Sequence, residues 1–161
     1  MKLTKRDLLK LYNGIIAMEG RAYSVKFSYF IAKNKVALRD EISALEEARK
    51  PSDEYRSFDT KRAKLAQKYA DKNEDGSAKI HENIFVITKN VDKFQSEIKK
   101  LREKNKKYIT EFEKQMVDFE ELLDTEATLE NTSKIVFKDI PQSIEPSILE
   151  VLILADLIIE D

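Results

Sequence analysis

The chain has 161 residues, which is enough for one domain with a sizeable core. Charged residues make up 37% of it, against roughly a quarter in most globular proteins, and three Gly and three Pro leave few turns. The absence of Cys excludes disulfides and thiol chemistry, and the single His excludes a multi-histidine metal site within one chain. This composition predicts a mainly helical protein with long helices.

The first two helices have clear start signals. Thr4 and Asp7 match an acidic variant of the capping box, and Gly20 supplies a left-handed residue at the end of the first helix. The second helix begins near Ser24. Its apolar seam repeats at steps of three and four residues, a pattern typical of helices that pack lengthwise on one another: Phe27, Ile31, Asn34, Leu38, Ile42 and Leu45.

Pro51 leaves two interpretations open. The apolar phase continues past it through Tyr55, Phe58 and Tyr69, which favours one helix over residues 24–72 with a kink at Pro51. The alternative is a break, with Pro51 in the first turn of a separate helix.

A short hairpin and a long helix follow a turn. Ile80 and residues 84–87 have strand character, and residues 81–83 would form the hairpin turn. Thr88 or Asn90 would then cap a helix that reaches Leu123, about 54 Å long if it starts at Thr88.

Asn34 and Asn105 each interrupt an otherwise apolar seam. Each could fix the register or the number of partners of its helix at some cost in stability. Each could equally lie at a solvated edge of the seam.

The last part of the chain changes character. Leu129 and residues 134–138 are predicted as short strands, and the final helix has Pro146 in its first turn. We expect these strands to join the hairpin in one small sheet, because a lone two-stranded hairpin is marginal in water. The apolar stretch 148–159 is predicted as a buried terminal helix that covers this sheet, and it is too short to span a bilayer.

The predicted fold is therefore mainly α: long antiparallel coiled-coil-like helices, a small β-hairpin or sheet, and a C-terminal apolar helix. We expect a single domain over residues 1–161, with a helical arm and a small α+β base. The arm takes roughly residues 24–72 and 88–123, and the base roughly 1–20, 76–87 and 124–161. At the level of architecture alone, this layout resembles that of prefoldin subunits. No signal peptide is evident at residues 1–20, so we expect a soluble, intracellular protein.

Charge is unevenly distributed along the chain. Residues 1–100 carry 22 Lys and Arg against 15 Asp and Glu, and residues 101–161 carry 7 against 15. This asymmetry fits halves that attract each other, head-to-tail self-association, or a partner that recognises one pole.

Residues 71–82 match the pattern of a twelve-residue EF-hand calcium loop. Its oxygen ligands would be Asp71, Asn73, Asp75, the Ser77 carbonyl and Glu82. Lys79 would place a cation beside the metal, and no second loop is present to form the usual pair. We therefore favour an ordinary helix-ending turn, with calcium binding as the alternative.

A second candidate site is a run of basic residues that could neutralise phosphates. It consists of Lys99, Lys100, Arg102, Lys104, Lys106 and Lys107. On a helix these residues spread over most of the circumference, and glutamates lie nearby. A solvated helix surface is the favoured interpretation, and nucleic-acid binding is the alternative.

Catalysis has little support in the sequence. Carboxylates are plentiful, but no pair stands apart from the charged helix surfaces. His81 has no obvious nucleophile beside it in the sequence, so we expect a structural or exposed residue. We expect a non-enzymatic protein without a cofactor.

Short phrases spread over most of the chain carry a family resemblance. They are Met1-Lys2-Leu3-Thr4, Leu11-Tyr12-Asn13, Ala32-Lys33-Asn34, Leu45-Glu46-Glu47-Ala48-Arg49-Lys50, Lys68-Tyr69-Ala70-Asp71-Lys72, Asp75-Gly76, Phe94, Glu120-Glu121-Leu122-Leu123 and Ile158-Ile159-Glu160-Asp161. In these phrases the chain resembles a family of short, functionally uncharacterised phage and prophage proteins of Gram-positive bacteria. The resemblance implies a viral or prophage origin and a non-enzymatic role. It supplies no catalytic or binding residues, and it implies a structural joint before Gly76 rather than a calcium site.

From the long seams, the apolar C-terminal segment and this resemblance, we expect a protein that acts through protein–protein interaction. Assembly, adaptor function and host-factor binding all fit, either with another protein or by self-association. The expected location is the host cytoplasm or the virion, with no membrane and no nucleic acid as partner.

Overall fold

The structure is a computed structural model that describes residues 3–160. Within that range the chain is mainly helical, as predicted, with short strands and one 3₁₀ turn. The elements in chain order are α1 Lys5–Met18, α2 Val25–Ala48, α3 Asp53–Tyr69, β1 Ile80–His81, β2 Ile84–Phe85, α4 Val91–Lys104, α5 Lys106–Leu123, β3 Ile135–Val136, the 3₁₀ turn Phe137–Asp139, α6 Pro146–Leu154 and β4 Ile158–Ile159.

The chain divides into two compact units. The terminal unit contains the residues up to Arg49 and those from Asp118 onward, and the central unit contains Lys50–Val117. This division differs from the predicted arm and base, because α2 belongs with α1 and the hairpin belongs with α3 and α4. The reason is that the seam of α2 packs mainly against α1.

The core of the terminal unit is built mainly from α1 and α2. Thr4 caps α1 through the predicted capping box, and Gly20 follows the helix with a φ of 76°. The predicted seam of α2 is buried along its whole length. The hydrophobic core residues of the two helices are each at most 5% exposed: Leu8, Leu11, Ile15, Met18, Phe27, Phe30, Ile31, Leu38, Ile42 and Leu45.

Helix α6 packs closely against α1. At Gly14 an added Cβ would lie 3.1 Å from Cγ1 of Ile148, so α1 and α6 approach each other at a position without a side chain. Pro146 stands in the first turn of α6, as predicted.

The apolar stretch 148–159 is not one helix, which corrects the prediction. Helix α6 ends at Leu154, and Asp156 takes a left-handed conformation with a φ of 55°. The N–H of Asp156 donates to the Ile153 carbonyl, and the N–H of Leu157 donates to the Leu152 carbonyl. These two bonds form a Schellman motif, which ends the helix and sends the chain into β4.

The strands form two separate sheets, so the prediction of one pooled sheet is wrong. In the terminal unit β3 pairs in parallel with β4, and α6 connects them. In the central unit β1 and β2 form the predicted hairpin, with Glu82 and Asn83 at its turn. Both turn residues have positive φ, as the two-residue type I′ turn requires. Leu129, predicted as a strand, lies outside the strands.

The predicted kinked helix over residues 24–72 is also wrong. Helix α2 ends at Ala48, and α3 begins after Ser52, whose hydroxyl accepts the N–H of Tyr55 at 3.2 Å. The alternative of a break is confirmed, although Pro51 precedes the cap instead of standing in the first turn. A proline disfavours helical backbone in the residue before it, and Ser52 offers a new N-terminal cap at once.

Helix α3 packs antiparallel to α4 and the first part of α5. Tyr55, near the start of α3, stacks on Phe112 with ring centroids 4.0 Å apart. Tyr69, at the end of α3, lies 6.3 Å from Phe94 of α4. We call this arrangement the helix pair. Residues 70–90 connect α3 to α4, and we call them the tip.

The long helix begins at Val91, directly after Asn90, which is the second of the two predicted cap positions; Thr88 is not the cap. The Asn90 side chain makes no capping hydrogen bond, and the helix is interrupted once. At Asn105 the backbone leaves the helical conformation, and the side-chain amide donates to the Leu101 carbonyl at 2.8 Å. Asn105 therefore bonds to its own helix.

Asn34 has a different role. It is fully buried, and its amide donates to the carbonyls of Phe30 and Ser133 while its oxygen accepts the N–H of Ser133. Asn34 thus fastens the segment before β3 to α2, so the alternative of a solvated edge is wrong for this residue.

Candidate interaction surfaces

The loop that matches the calcium pattern lies in the tip. Two of its carboxylates, those of Asp71 and Asp75, accept hydrogen bonds from other groups of the same chain. The Asp71 carboxylate accepts the Thr88 hydroxyl at 2.5 Å and the N–H groups of Thr88 and Lys89 at 3.3 Å. The bond from the Thr88 hydroxyl is the main cause that lowers the pKa of Asp71. The Asp75 carboxylate accepts the hydroxyl and the N–H of Ser77, which lower the pKa of Asp75 in the same way.

The remaining predicted ligands do not complete a metal site. Asn73 donates its amide to the Ser77 hydroxyl, and the Ser77 carbonyl accepts the N–H of Asn73 at 2.9 Å. Glu82 stands in the hairpin turn beside His81, and both side chains are exposed. Within residues 3–160 no group of three or more acidic or histidine side chains could hold a metal ion. The geometry describes a turn that joins α3, the hairpin and α4.

An apolar groove lies on the surface of the terminal unit. Its apolar walls are Phe137 from the 3₁₀ turn, Ile153 from α6 and Ile158 from β4. We call these three side chains the C-terminal patch. Phe137 and Ile153 are each 58% exposed. Single exposed apolar residues are ordinary, but several around one groove are typical of an interaction site.

The two charged side chains that line the groove of the C-terminal patch are acidic. Residues 139–161 contain six Asp and Glu and no Lys or Arg. Asp156 and Glu160 line the groove together with the patch, and Asp156 accepts a hydrogen bond from Lys134. The groove thus combines apolar walls with negative charge.

The prediction missed this patch. It placed Ile153 and Ile158 in one buried helix, whereas the Schellman motif puts them in different elements. The sequence signal for the acidic surroundings was present in the lack of basic residues after Lys138.

The predicted basic run is divided by the geometry of the long helix. Lys100, Lys104 and Lys107 are spaced four and three residues apart, so they form one stripe of the helix. Lys99, Arg102 and Lys106 form a second stripe on another side, where Arg102 and Lys106 line a shallow groove with Ile109. The run is therefore two basic stripes, not one.

These features define a mainly helical protein with an acidic apolar groove in one unit and basic stripes in the other. Comparisons of the chain with protein-family models, with curated proteins and with solved structures find no match. Among the helices described, none is long and apolar enough to cross a membrane.

Proposed function

We propose that the protein acts through protein–protein interaction and not as an enzyme, in assembly, as an adaptor, or in binding a host factor. The observation that supports this is the C-terminal patch with its exposed Phe137 and Ile153. Fully burying a Phe or Ile side chain contributes about 1.5–3 kcal/mol, so covering the exposed part of each would contribute about 1–2 kcal/mol. The phage or prophage context of this proposal rests on the family resemblance.

The partner we propose is a basic segment of another protein. Its apolar side chain would enter the groove between Phe137 and Ile153, and its Lys or Arg residues would face Glu160. Complementary charge around an apolar centre is the usual arrangement of a specific interface. A segment rich in acidic residues would be repelled by Glu160 at the groove.

The test compares two double variants of the full chain. Immobilised protein captures a partner from a lysate of a Gram-positive bacterium, and the affinity of that purified partner is then measured by calorimetry. Phe137→Ser with Ile153→Ser should weaken binding at least tenfold. The control, Val25→Ser with Val36→Ser, removes two exposed apolar residues from α2 and should change affinity less than twofold.

The salt dependence and the oligomeric state complete the test. We expect the affinity to fall as salt rises, because the partner is basic. Equal affinities for the two double variants would show that the patch is not the binding surface. If the patch variant changed only the sedimentation of the protein itself, the groove would bind a second copy, and the proposed partner would be wrong.

A further inference from the structure

Helix α3 carries a stripe of lysines that the basic run in the sequence does not include. Lys61, Lys64 and Lys68 are spaced three and four residues apart and lie on one side of α3. All three are exposed, and no acidic residue lies between Asp59 and Asp71 in the sequence.

The lysine stripes of α3 and of the long helix lie on the same side of the helix pair. Glu97 precedes Lys100 by three residues and so belongs to the stripe of Lys100, Lys104 and Lys107. It accepts the Tyr69 hydroxyl at 2.5 Å and lies 3.4 Å from the Lys68 ammonium. This contact joins the two stripes at one end, and the antiparallel packing runs them side by side from there.

We call the resulting surface the lysine face. It consists of Lys61, Lys64, Lys68, Lys100, Lys104 and Lys107. Glu97 pairs with Lys68, and Glu111 lies 3.9 Å from Lys107. For Lys61, Lys64, Lys100 and Lys104, no carboxylate within the described residues comes within 4 Å, although Glu97 also attracts Lys100 electrostatically.

Elsewhere on α3 the positive charges are neutralised locally. Arg56 pairs with Asp53, and Arg62 pairs with Asp59 at 2.6 Å. Like charges one helical turn apart repel each other, so the lysine face makes the helix pair less stable than mixed charges would. The chain as a whole has a net charge of −1, so this face is a local concentration of charge and not the result of a basic composition.

We infer that the lysine face binds the phosphate backbone of double-stranded nucleic acid without reading its sequence. Lysine ammonium groups are compact charges that neutralise phosphates, and phosphate contacts position a protein without specifying bases. This surface lies in the central unit and is independent of the proposed function of the C-terminal patch.

A duplex fits this surface better than a single strand. Proteins that bind single strands without sequence preference stack the bases on aromatic side chains. In the central unit every Phe and Tyr side chain is buried or half-buried in the seam or the tip, and the exposed His81 lies in the hairpin, away from the lysine face. The lysine face therefore offers charge but no exposed ring on which a base could stack.

Fluorescence anisotropy with a labelled duplex DNA of about 20 bp tests the inference at several salt concentrations. Each neutralised phosphate contributes about −0.9 to the slope of log K against log salt, so four to six contacts give a slope of about −4 to −5. The triple variant Lys100→Gln, Lys104→Gln and Lys107→Gln should weaken binding at least tenfold. It should also reduce the magnitude of the slope by about 2 to 3.

The matched control is Lys99→Gln, Arg102→Gln and Lys106→Gln. It removes the same charge from the same helix on another side, so it should weaken binding by no more than about threefold, with the slope nearly unchanged. Circular dichroism checks that both triple variants keep the helix content of the wild type.

Several results would overturn the inference. These are no saturable binding of the duplex, equal weakening by the two triple variants, and tighter binding of a single strand of the same length. The inference would also be overturned if the protein did not bind DNA but self-associated in a salt-sensitive way, and the triple variant of Lys100, Lys104 and Lys107 lost that self-association. The lysine face would then bind the acidic terminal unit of a second copy.

Discussion

In the terminal unit, α1 and α2 close over a fully buried apolar core, whereas the central unit is a helix pair with a seam that is mostly half-buried. Of the seventeen buried hydrophobic residues among residues 3–160, fifteen lie in the terminal unit, and only Phe58 and Ala70 lie in the central unit. The two units are therefore stabilised in different ways. Burial of apolar surface stabilises the terminal unit, and a few ring contacts with polar bonds at the tip hold the central unit.

This difference has a consequence for function. A helix that forms a core buries one whole side. The helices of the central unit bury only a narrow seam, so most of their surface is exposed and can carry charged side chains. The lysine face occupies such a surface. The price is lower local stability, so backbone amides of the central unit should exchange with solvent faster than those of α1 and α2.

The largest expected effect comes from removing a core ring in the terminal unit. Phe27 is completely buried between Tyr23 and Phe30, with ring centroids 5.0 Å and 5.8 Å away. Phe27→Ala should lower the free energy of unfolding by about 3–5 kcal/mol, because it removes burial and leaves a cavity. Urea denaturation followed by circular dichroism measures the change.

The control for that variant lies on the same helix. Tyr29 is 64% exposed, so Tyr29→Ala should change the free energy of unfolding by no more than about 0.5 kcal/mol. Similar losses for Tyr29→Ala and Phe27→Ala would contradict the description of the terminal unit as the one with the dense core.

A smaller effect is expected from the equivalent change in the central unit. Phe112 is half-buried and stacks on Tyr55, so Phe112→Ala should cost about 1–2 kcal/mol. Hydrogen exchange should accelerate in α3 and α4 and stay unchanged in α1 and α2. Tyr55→Phe keeps the ring contact and serves as the control. Equal acceleration in α1 and α2 would show that the two units do not open separately.

Sequence reasoning succeeded where the deciding interactions are local. The cap at Thr4 and Asp7, the start of α2 after Ser24 and the hairpin turn before Ile84 each depend on residues within a few positions. Burial of the α2 seam followed from its spacing alone.

It failed where tertiary pairing or an unusual residue decided the outcome. Asp156 takes the left-handed position that glycine usually fills, so nothing in the composition marked the end of α6. The calcium pattern was the less favoured of two interpretations of residues 71–82. It contains suitable oxygen atoms, but spacing within the pattern could not show that Thr88, outside it, donates to the Asp71 carboxylate. The lysine face could be seen only in part, because spacing gives the stripe on each helix and packing decides which stripes adjoin.

The smallest expected effect concerns the pH dependence of stability. It compares two carboxylates that accept hydrogen bonds from a threonine, Asp7 in the terminal unit and Asp71 in the central unit. Asp7 accepts the Thr4 hydroxyl at 2.7 Å in a partly buried capping box. Burial raises the pKa of Asp7, but the bonds from Thr4 and the nearby Lys10 together lower it below its usual value. The pKa of Asp71 is lowered by its bonds to Thr88, which are exposed at the tip.

Because both pKa values are lower in the folded state, each carboxylate stabilises the protein above its unfolded pKa, near 4. That contribution is lost as the pH falls through the folded value. Asp7→Asn should therefore lower the free energy of unfolding at neutral pH by about 1 kcal/mol and make its acid dependence shallower. Asp71→Asn should alter the acid dependence less, since solvent competes for the exposed bonds at the tip. Urea titrations from neutral pH downward measure both. A larger change for Asp71→Asn than for Asp7→Asn would mean that the tip, and not the cap of α1, is the more tightly held polar contact.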